Sequence, residues 1–496
     1  MSKKVIAIDQ GTTSSRAILF DEKNNLLDFE QKEFNQYFPN DGWVEHDPEE
    51  IWKSVFDVTD KLLKKHSVKP SDLAAIGITN QRETTVVWDK KSGKAIYPAI
   101  VWQDRRTSDL CDGLRKEAGT EQKIQQKTGL LIDPYFSATK LAWILDNVTG
   151  ARKKAENGEL AFGTIDSFLV WRLTQGKNHK TDATNASRTM LFNIDSHCWD
   201  DELLEFFKIP KKILPEVCDS VHDFGDTSLF GGDLKIGGIA GDQQSALIGQ
   251  CCFNSGQAKS TYGTGCFLLL NTGDKRISSE NRLLSTIAYR LDGKTTYGLE
   301  GSIFVAGSAI QWLRDELNFF ESAKDSEEII SHRNVKSKVL VVPAFTGLGA
   351  PHWDPDSRGS IFGLTRDTSI ADLTAATLES IAFQTKDLIG AMENDGANFS
   401  DLRVDGGMVA NNWFSQQLAN ILNIDVLRPR VIETTALGAS YLASMKAGLC
   451  PNIESLSSSW VSEKTFCSEN KETKILQEKY QIWPVSYTHL TLPTKA

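Results

Sequence analysis

The chain has 496 residues, 40% of them hydrophobic and 24% charged, and a formal net charge of −10 at pH 7. Its length predicts two or more globular domains, at roughly 100–200 residues per domain. The acidic balance argues against a nucleic-acid-binding surface, and the lack of any run of about 18 apolar residues argues against a transmembrane helix. The eight cysteines are scattered without a CxxC pair, and no signal-like apolar segment stands near the start, so we expect a cytoplasmic protein.

The first predicted element is a hairpin in the stretch VIAIDQGTTSSRAILFD, with strands at Val5–Ile8 and Arg16–Phe20. A turn rich in Gly, Thr and Ser offers N–H and hydroxyl donors to phosphate oxygens, and a carboxylate at the strand end, Asp9, suits Mg²⁺. The alternative is an ordinary polar turn that Asp9 caps. Between the strands lie four hydroxyl residues, Thr12, Thr13, Ser14 and Ser15.

Further strands are predicted in the segments NNLLDFEQKEF, LAAIGITN, TTVVWD and AIVW. The segment DPEEIWKSVFDVTDKLLKKH predicts an amphipathic helix, with Asp47 as N-cap and Pro48 as the first helical residue. Another helix is predicted from Thr139 onward.

Arg82 and Glu83 directly follow a predicted strand, in GITNQRETTVVWD. The default interpretation of such a pair is a surface ion pair, which contributes little to stability. The functional interpretation is a polyol site, in which Arg82 donates to substrate hydroxyls and Glu83 accepts from them. Trp102 is either a core residue or a flat apolar wall for the carbon side of such a substrate.

After Ile236 the segment GGIAGDQQSALIGQ predicts a strand, a turn and a helix. Asp242 stands before that helix, where aspartate is a preferred N-cap. It could also be a general base that accepts the proton of an alcohol attacking a γ-phosphate. An N-cap leaves one carboxylate oxygen available, so both interpretations can hold together.

The segment AKSTYGTGCFLLLNTG repeats the pattern of the opening hairpin, because Gly263-Thr264 precedes an apolar strand as Gly11-Thr12 does. Two such loops favour phosphate binding and predict two related α/β halves. We expect an N-terminal domain over residues 1–250 and a C-terminal domain over 251–483. Small-molecule sites concentrate between domains, so an active-site cleft is expected there.

The chain lacks a Walker A motif, since Gly293-Lys294-Thr295 in RLDGKTT is preceded, five residues before Gly293, by Ala288 where that motif requires glycine. Asp292-Gly293 in the same segment predicts a hairpin turn instead. The spacing in SIADLTAATLESIAFQTKDLIGAM predicts a long helix. VDGGMVANN places Gly406 and Gly407 at a strand-to-helix turn, which is either a plain tight turn or a point of close approach for a nucleotide.

The last predicted helix, in ETKILQEKYQIW, is expected to stop at Pro484. The residues that follow share no periodicity with the rest of the chain. We therefore interpret residues 484–496 as a non-native tail and exclude them from the fold prediction.

From about Val5 to Cys450, the chain closely resembles the FGGY family of carbohydrate kinases. The resemblance implies an α/β fold of two actin-like, ribonuclease-H-like domains, with an interdomain active-site cleft that closes around ATP. It rests on blocks that stand in the order of the family, among them DQGTTSSRA, GITNQRETT, DPYFSATKLAWILDN, TDATNASRTMLFN, GIAGDQQSAL, TYGTGCF and VDGGMVANN.

Position by position, the resemblance implies a polyol set, a nucleotide set and one metal ligand. Asp242 is the implied general base and Asp9 the implied ligand of Mg²⁺. The implied polyol contacts are Arg82, Glu83, Trp102, Tyr135, Asp242, Gln243 and Phe267. The implied ATP contacts are Thr12, Thr13, Ser14 and Arg16 in the first loop, Thr264 and Gly265 in the second, then Gly307, Gln311, Gly407 and Asn411.

The activity implied by the resemblance is ATP-dependent phosphorylation of glycerol to sn-glycerol 3-phosphate, the first step of glycerol catabolism, in a homodimer or homotetramer. Xylulose, ribulose and gluconate are alternative substrates within the same family, although the compact set of polyol residues favours the small triol. A catalytically inactive scaffold protein is a third possibility. It would be expected to lack Asp9 or Asp242, and both are present.

Overall fold

The computed structural model describes residues 3–335, 337–354, 357–458 and 460–488. The chain divides into two compact units. The first comprises Met1–Phe253, Ser285–Tyr297 and Thr434–Ser459, and the second comprises Asn254–Leu284, Gly298–Glu433 and Trp460–Ala496. The first unit therefore contains two segments that lie beyond residue 250, the boundary expected from the sequence.

Helices and strands are mixed along the whole described chain. The strands are β1 Lys4–Gln10, β2 Ser14–Phe20, β3 Leu26–Glu33, β4 Glu45–His46, β5 Leu73–Asn80, β6 Val86–Asp89, β7 Ala99–Ile100, β8 Leu160–Gly163, β9 Lys180–Asp182, β10 Phe192–Asn193, β11 Cys198–Trp199, β12 Glu216–Cys218, β13 Asp226–Thr227, β14 Leu234–Gly241, β15 Gln257–Tyr262, β16 Cys266–Gly273, β17 Leu284–Leu291, β18 Lys294–Ile303, β19 Leu340–Val342, β20 Ser360–Phe362, β21 Asp401–Asp405, β22 Val426–Pro429 and β23 Ser462–Phe466.

The α-helices are α1 Pro48–Lys65, α2 Ser108–Lys116, α3 Thr120–Thr128, α4 Ser137–Asn147, α5 Ala151–Glu156, α6 Ile165–Leu173, α7 Ala183–Ala186, α8 Asp201–Phe206, α9 Asp242–Gly249, α10 Gly307–Asp315, α11 Ser326–Ile330, α12 Ile370–Asn394, α13 Asn412–Leu422, α14 Thr434–Lys446, α15 Ile453–Ser457 and α16 Asn470–Thr488. Within the described ranges, none of these helices is both long enough and apolar enough to cross a bilayer.

The central sheet of the first unit has the strand order β13-β14-β5-β1-β2-β3. Strands β1, β5 and β14 run parallel to one another, whereas β2 is antiparallel to both of its neighbours. Residues Val5–Ile8 of β1 are fully buried. Such a continuous apolar run is typical of a strand that is covered on both faces. The residues at the carboxyl end of β1 therefore extend from a rigid, buried strand.

The predicted start of α1 is confirmed. Asp47 is the N-cap and accepts a hydrogen bond from the backbone N–H of Glu49, and Pro48 is the first helical residue. The apolar side of the helix buries Ile51 and Val55, as its amphipathic spacing predicts.

Helix α14 belongs to the first unit, although it follows most of the second unit in the sequence. A Cβ atom on Gly77 of β5 would overlap the carbonyl oxygen of Ala439, and one on Gly238 of β14 would overlap Leu442. Glycine at both positions lets the helix approach the sheet this closely, so packing, and not chain order, assigns α14 to this unit.

The sheet of the second unit contains the strand order β18-β16-β15-β21-β22-β23. Its β15-β16 hairpin is antiparallel, while β21 and β22 add parallel to β15. The first unit has the same arrangement, in which β5 and β14 add parallel to the β1-β2 hairpin. The prediction of two related α/β halves is confirmed.

Two local predictions in the second half of the chain are also confirmed. Asp292 and Gly293 have positive φ angles of 49° and 72°, as expected for the two-residue hairpin turn between β17 and β18. The predicted long helix is α12, which Ser369 caps by accepting from the N–H of Asp372.

The prediction that the last helix stops at Pro484 is wrong, because α16 continues to Thr488. A proline inside a helix removes one hydrogen bond without forbidding helical geometry. The helix is anchored just before that point by Trp483, which is fully buried and donates from Nε1 to Asp387. Of the predicted non-native tail, residues 489–496 lie outside the described residues.

Candidate active site

The candidate residues of the first unit follow three neighbouring parallel strands. Asp9 is the penultimate residue of β1, Arg82 and Glu83 follow β5, and Asp242 follows β14 directly. The pairing registers align the carboxyl ends of the three strands. Ligands of open α/β sheets bind beyond this edge. The fold therefore brings Asp9, Arg82 and Asp242 together there.

The turn after β5 directs Arg82 and Glu83 inward. Glu83 has a φ of 58°, and the N–H of Thr84 donates to the carbonyl of Arg82 at 2.6 Å. Left-handed backbone is uncommon for a residue other than glycine and costs on the order of 1 kcal/mol, a strain that clusters at functional sites. Both side chains are only 2% exposed, so the surface ion pair considered from the sequence is excluded.

The guanidinium of Arg82 contacts three polar groups of the first unit. Its Nε lies 3.0 Å from Oδ1 of Asp242. Nη1 donates to Oε1 of Gln244 and Nη2 to the hydroxyl of Tyr135, each at 3.3 Å. A planar group held at several corners has little freedom to rotate, so its donors are oriented before any substrate arrives.

Glu83 is held by a second arginine that no sequence argument singled out. Nε of Arg188 donates to Oε1 of Glu83 at 2.7 Å, and Nε of Arg82 lies 3.8 Å from the same oxygen. Arg188 is fully buried, and its guanidinium carbon lies 5.5 Å from the ring centroid of Phe136. Nothing in the surrounding stretch TDATNASRTMLFN distinguishes this arginine from a surface one.

Asp242 is not the N-cap of α9, so that prediction is wrong. Gly241 is the N-cap, and the Asp242 carboxylate accepts only from the adjacent N–H of Gln243 in its own helix. A Cβ on Gly241 would lie 2.8 Å from Cγ and Cδ of Arg82. The cap position must therefore be glycine, and the carboxylate, 31% exposed, is available to a substrate.

Trp102 connects the candidate polyol residues to the first predicted phosphate loop. Its indole Nε1 donates to Oγ1 of Thr12 at 3.0 Å, and its ring centroid lies 5.6 Å from that of Tyr135. The indole is half-buried, so it presents a flat surface without being a plain core residue.

Lys140 holds the backbone of Tyr135 from within the core. It is fully buried and donates from Nζ to the carbonyl of Tyr135 at 2.7 Å. Burial lowers the pKa of this ammonium to about 8, while the nearby Glu83 carboxylate acts in the opposite direction. Part of the charge of Glu83 is thus balanced from within the core.

The four hydroxyls of the first loop do not share one environment. Thr12 and Thr13 lie in the turn, which the N–H of Gly11 closes by donating to the Ser14 carbonyl at 2.9 Å. Ser14 and Ser15 belong to β2. The Ser14 hydroxyl accepts from Gln31, and the Ser15 hydroxyl pairs with that of Ser54 in the core.

Asp9 is half-buried opposite Arg16 in the β1-β2 pairing. Its oxygen atoms are hard donors at the same sheet edge as Arg82 and Asp242. This donor chemistry fits Mg²⁺, which takes one or two carboxylates together with substrate phosphates and water.

The second unit gathers its candidate residues around the loop between β15 and β16. The N–H groups of Ala306 and Ser308 donate to the carbonyl of Thr264, and that of Gly307 donates to Gly263, all within 3.1 Å. A Cβ on Gly307 would lie 2.5 Å from the Gly263 carbonyl oxygen. The start of α10 is therefore locked against this loop.

The Gly406-Gly407 turn packs against the same loop. Gly406 has a φ of 92°, and a Cβ there would overlap the carbonyl of Tyr262, whereas a Cβ on Gly407 would meet no atom within 4 Å. Asn411 caps α13 by accepting from the N–H of Phe414. Gly406 is therefore required by its backbone conformation and its close contact with Tyr262, whereas the space beside Gly407 is open.

The remaining predicted residues are placed as follows. Gly265 lies in the β15-β16 loop, where a Cβ would be 2.8 Å from the carbonyl oxygen of Ile303. Gln311 is exposed on α10, and Phe267 is half-buried in β16 of the second unit. Gln243, which is buried, follows Asp242 in α9 of the first unit.

Comparison with known proteins gives a consistent result for both halves of the chain. The N-terminal domain of the FGGY family of carbohydrate kinases matches residues 4–249, and the C-terminal domain of that family matches residues 258–447. Glycerol kinase of Marinomonas sp. (strain MWYL1) is 58% identical over 485 residues, which cover 97% of this chain and 98% of that protein. Glycerol kinase 1 of Pseudomonas aeruginosa is 57% identical over 476 residues, which cover 96% of each.

Solved structures agree with these matches. The crystal structure of Plasmodium falciparum glycerol kinase with ADP superimposes with a TM-score of 0.91 at 34% identity and 99% coverage of both chains. Xylulose kinase from Lactobacillus acidophilus has a TM-score of 0.90 at 24% identity. The second similarity shows the fold alone.

Proposed function

The chain belongs to the FGGY family of carbohydrate kinases, and we propose that it transfers the γ-phosphoryl group of ATP to a terminal hydroxyl of glycerol, forming sn-glycerol 3-phosphate. The observation that carries the proposal is the accessible carboxylate of Asp242, held 3.0 Å from the buried guanidinium of Arg82. A carboxylate accepts a hydroxyl proton, and a guanidinium donates to the hydroxyl oxygen atoms of a polyol. The similarity to glycerol kinases supports glycerol as the acceptor.

Glycerol needs donors, acceptors and an apolar surface in a small volume. Arg82 donates to its hydroxyl oxygens, and Glu83, oriented by Arg188, accepts from its hydroxyls. Trp102 covers the carbon side, and Tyr135 adds a hydroxyl. We assign Gln243 and Phe267 to the same substrate as further polar and apolar contacts.

Asp242 is the proposed general base. The terminal hydroxyl of glycerol gives its proton to a carboxylate oxygen of Asp242 while its oxygen attacks the γ-phosphorus. The bond from that phosphorus to the β,γ-bridging oxygen breaks, and ADP leaves with the electron pair. Holding the base and the hydroxyl in line lowers the entropic cost of the transfer.

The nucleotide contacts are proposed on both phosphate loops. In the first loop we favour Thr12 and Thr13 as phosphate donors, because both lie in the turn, whereas Ser14 belongs to β2. Asp9 would hold Mg²⁺, which supplies positive charge to the phosphate oxygens. The other proposed nucleotide contacts are Ser14, Arg16, Thr264, Gly265, Gly307, Gln311, Gly407 and Asn411.

We also propose that the enzyme works in the cytoplasm as a homodimer or homotetramer. The scattered cysteines of the sequence support the location. Size-exclusion chromatography with light scattering measures the oligomeric state. A monomer at enzyme-assay concentration would contradict the proposed homodimer or homotetramer.

The test is ADP release with Mg²⁺-ATP across glycerol, dihydroxyacetone, xylulose, ribulose and gluconate, comparing wild type with Asp242→Ala. The matched control is Asp201→Ala, because Asp201 is also the first residue of a short helix but is exposed and pairs with Lys211. We expect glycerol to be the best substrate and Asp242→Ala alone to lose turnover. A preference for a pentulose or gluconate would overturn the substrate and keep the mechanism, whereas turnover of none would favour a scaffold protein.

A further inference from the structure

We propose that Asp182, a buried carboxylate outside the substrate set, is a positioning residue that fixes both the general base and the polyol pair. This inference rests on the proposed function, since it assigns roles to Asp242 and Arg82. Asp182 itself is fully buried at the end of β9, so it touches no substrate. It acts through two hydrogen-bonded branches that leave its carboxylate in different directions.

The Asp182 carboxylate accepts hydrogen bonds on both oxygen atoms. The backbone N–H groups of Thr184 and Asn185 donate to it at 3.0 Å, and so do their side chains at 2.9 Å. The hydroxyl of Ser220 donates to Oδ2 at 2.8 Å. Burial raises the pKa of Asp182, while these donors lower it. A buried carboxylate with so many donors is a rigid centre, because losing any of them leaves a polar group unsatisfied.

The first branch leads to the general base. The hydroxyl of Thr184 donates its single hydrogen to Oδ1 of Asp182 and accepts the N–H of Gly241 at 2.9 Å. The carboxylate fixes this direction, because it can only accept while a backbone N–H can only donate. Gly241 immediately precedes Asp242, so this bond fixes the peptide from which the base projects.

The second branch leads to the polyol pair. The side-chain amide of Asn185 donates to Asp182 and to Oδ1 of Asn80, and its own oxygen accepts from Nδ2 of Asn80 at 3.0 Å. The same Nδ2 donates to the carbonyl of Gln81 at 3.0 Å. That carbonyl belongs to the peptide that leads into Arg82, so this branch fixes the start of the strained turn.

The two branches end on adjacent strands at the same level. Asn80 of β5 is the register partner of Gly241 of β14. A single carboxylate therefore sets the spacing between the base and the cation that faces it. A merely structural N-cap of α7 would not need Thr184 to reach Gly241 or Asn185 to reach Asn80.

The branches can be separated by substitution. Thr184→Val removes the acceptor for Gly241 at nearly constant volume, and Thr184→Ser keeps the hydroxyl. We expect Thr184→Val to lower kcat about tenfold with the KM for ATP unchanged, and Thr184→Ser to stay within about twofold of wild type. Thr59→Val is the control, because this equally buried hydroxyl only bonds the Val55 carbonyl in its own helix.

For the second branch, Asn185→Ala should raise the KM for glycerol about tenfold, with a smaller change in kcat. Asp182→Asn should show both effects together. Melting temperatures are measured for every variant, since a purely structural role predicts lower thermal stability without any split between kcat and KM.

Assays use the polyol that the wild type prefers, so failure of the glycerol assignment leaves the positioning test intact. The proposal is overturned if Thr184→Val and Thr59→Val behave alike, or if all variants change kcat and both KM values in parallel with stability. A wild type that phosphorylates no polyol overturns both the proposed function and the positioning role.

Discussion

Nε of Arg82 lies 3.0 Å from Oδ1 of Asp242, and the two side chains differ sharply in exposure, at 2% and 31%. The Arg82 guanidinium is part of the core, whereas the Asp242 carboxylate is partly exposed to solvent. A buried guanidinium cannot follow a moving partner, so it defines where the carboxylate stands. In the proposed mechanism, the base is therefore preorganised by a group that would also contact the substrate.

Arg82→Lys is expected to lower kcat/KM for glycerol by roughly a hundredfold, because an ammonium cannot make the three directed contacts of the guanidinium fork. The KM for ATP should change little. Steady-state kinetics with each substrate varied in turn measures both effects. Arg172→Lys, at the partly exposed ion pair with Glu49, is the control, and an equal loss there contradicts the assignment.

Arg188→Met is expected to destabilise the first unit by about 3–5 kcal/mol, because it removes the closest cation from a buried carboxylate. Adding Glu83→Gln to that variant should restore part of the loss, since the charge that needed the arginine is then absent. Urea denaturation of the two single variants and the double variant gives the coupling energy. Strictly additive losses would show that the two side chains do not depend on each other.

Gly406→Ala should lower folding stability, whereas Gly407→Ala should weaken ATP binding. Alanine at position 406 meets the Tyr262 carbonyl and a φ of 92°, so we expect a folding loss of a few kcal/mol, on the order of 1–3 from the backbone alone. Alanine at position 407 meets no protein atom within 4 Å. We expect normal thermal stability there with a higher KM for ATP. Melting curves and ATP titrations compare them, and an unaltered KM in Gly407→Ala would remove that residue from the nucleotide set.

The stability of the first unit should carry a pH dependence from Asp166. Burial raises its pKa to about 7 from an ordinary value of 3.8, although Thr164 and Thr181 donate to it. The folded state therefore holds this proton more tightly than the unfolded state. The resulting stabilisation is complete below about pH 4 and is lost as the pH rises through 7.

Asp166→Asn removes that dependence, so the variant should gain on the order of 2–3 kcal/mol relative to wild type between about pH 5 and pH 8. Comparing the two proteins at each pH cancels the opposite contribution of His46 and His179, whose pKa values burial lowers to about 4. Unfolding free energies from urea titrations are the measurement. A difference that stays constant over this range would contradict the raised pKa.

Sequence patterns predicted correctly those features that depend only on residues close together in the chain. The N-cap of α1, the Asp292-Gly293 turn and the strand before Arg82 each depend on a few neighbouring residues, and each was predicted correctly. The same reasoning failed for Asp242. An aspartate before a helix usually caps it, but here Arg82 occupies the space that any cap side chain would need.

Some site residues gave no local signal at all. Arg188 and Asp182 are distant in sequence from the residues that they orient, and nothing in their immediate neighbours marks them. Their importance comes from burial, because a charge in the core must find partners and thereby fixes them. Only the packed sheet shows that Arg188 bonds to Glu83, and that Asp182 is linked through the Thr184 hydroxyl to the peptide before Asp242.

The two α/β halves and the repeated Gly-Thr hairpin loop could be predicted from the sequence, and so could the candidate residues Asp9, Arg82 and Asp242. These follow from periodicity and from residue chemistry, which are properties of short segments. The tertiary structure alone decided that α14 joins the first unit, that Ser14 and Ser15 are engaged in β2, and that Gly241 must be glycine. Those outcomes depend on which distant atoms fill the same space, and close packing of a core settles that only when the whole chain has folded.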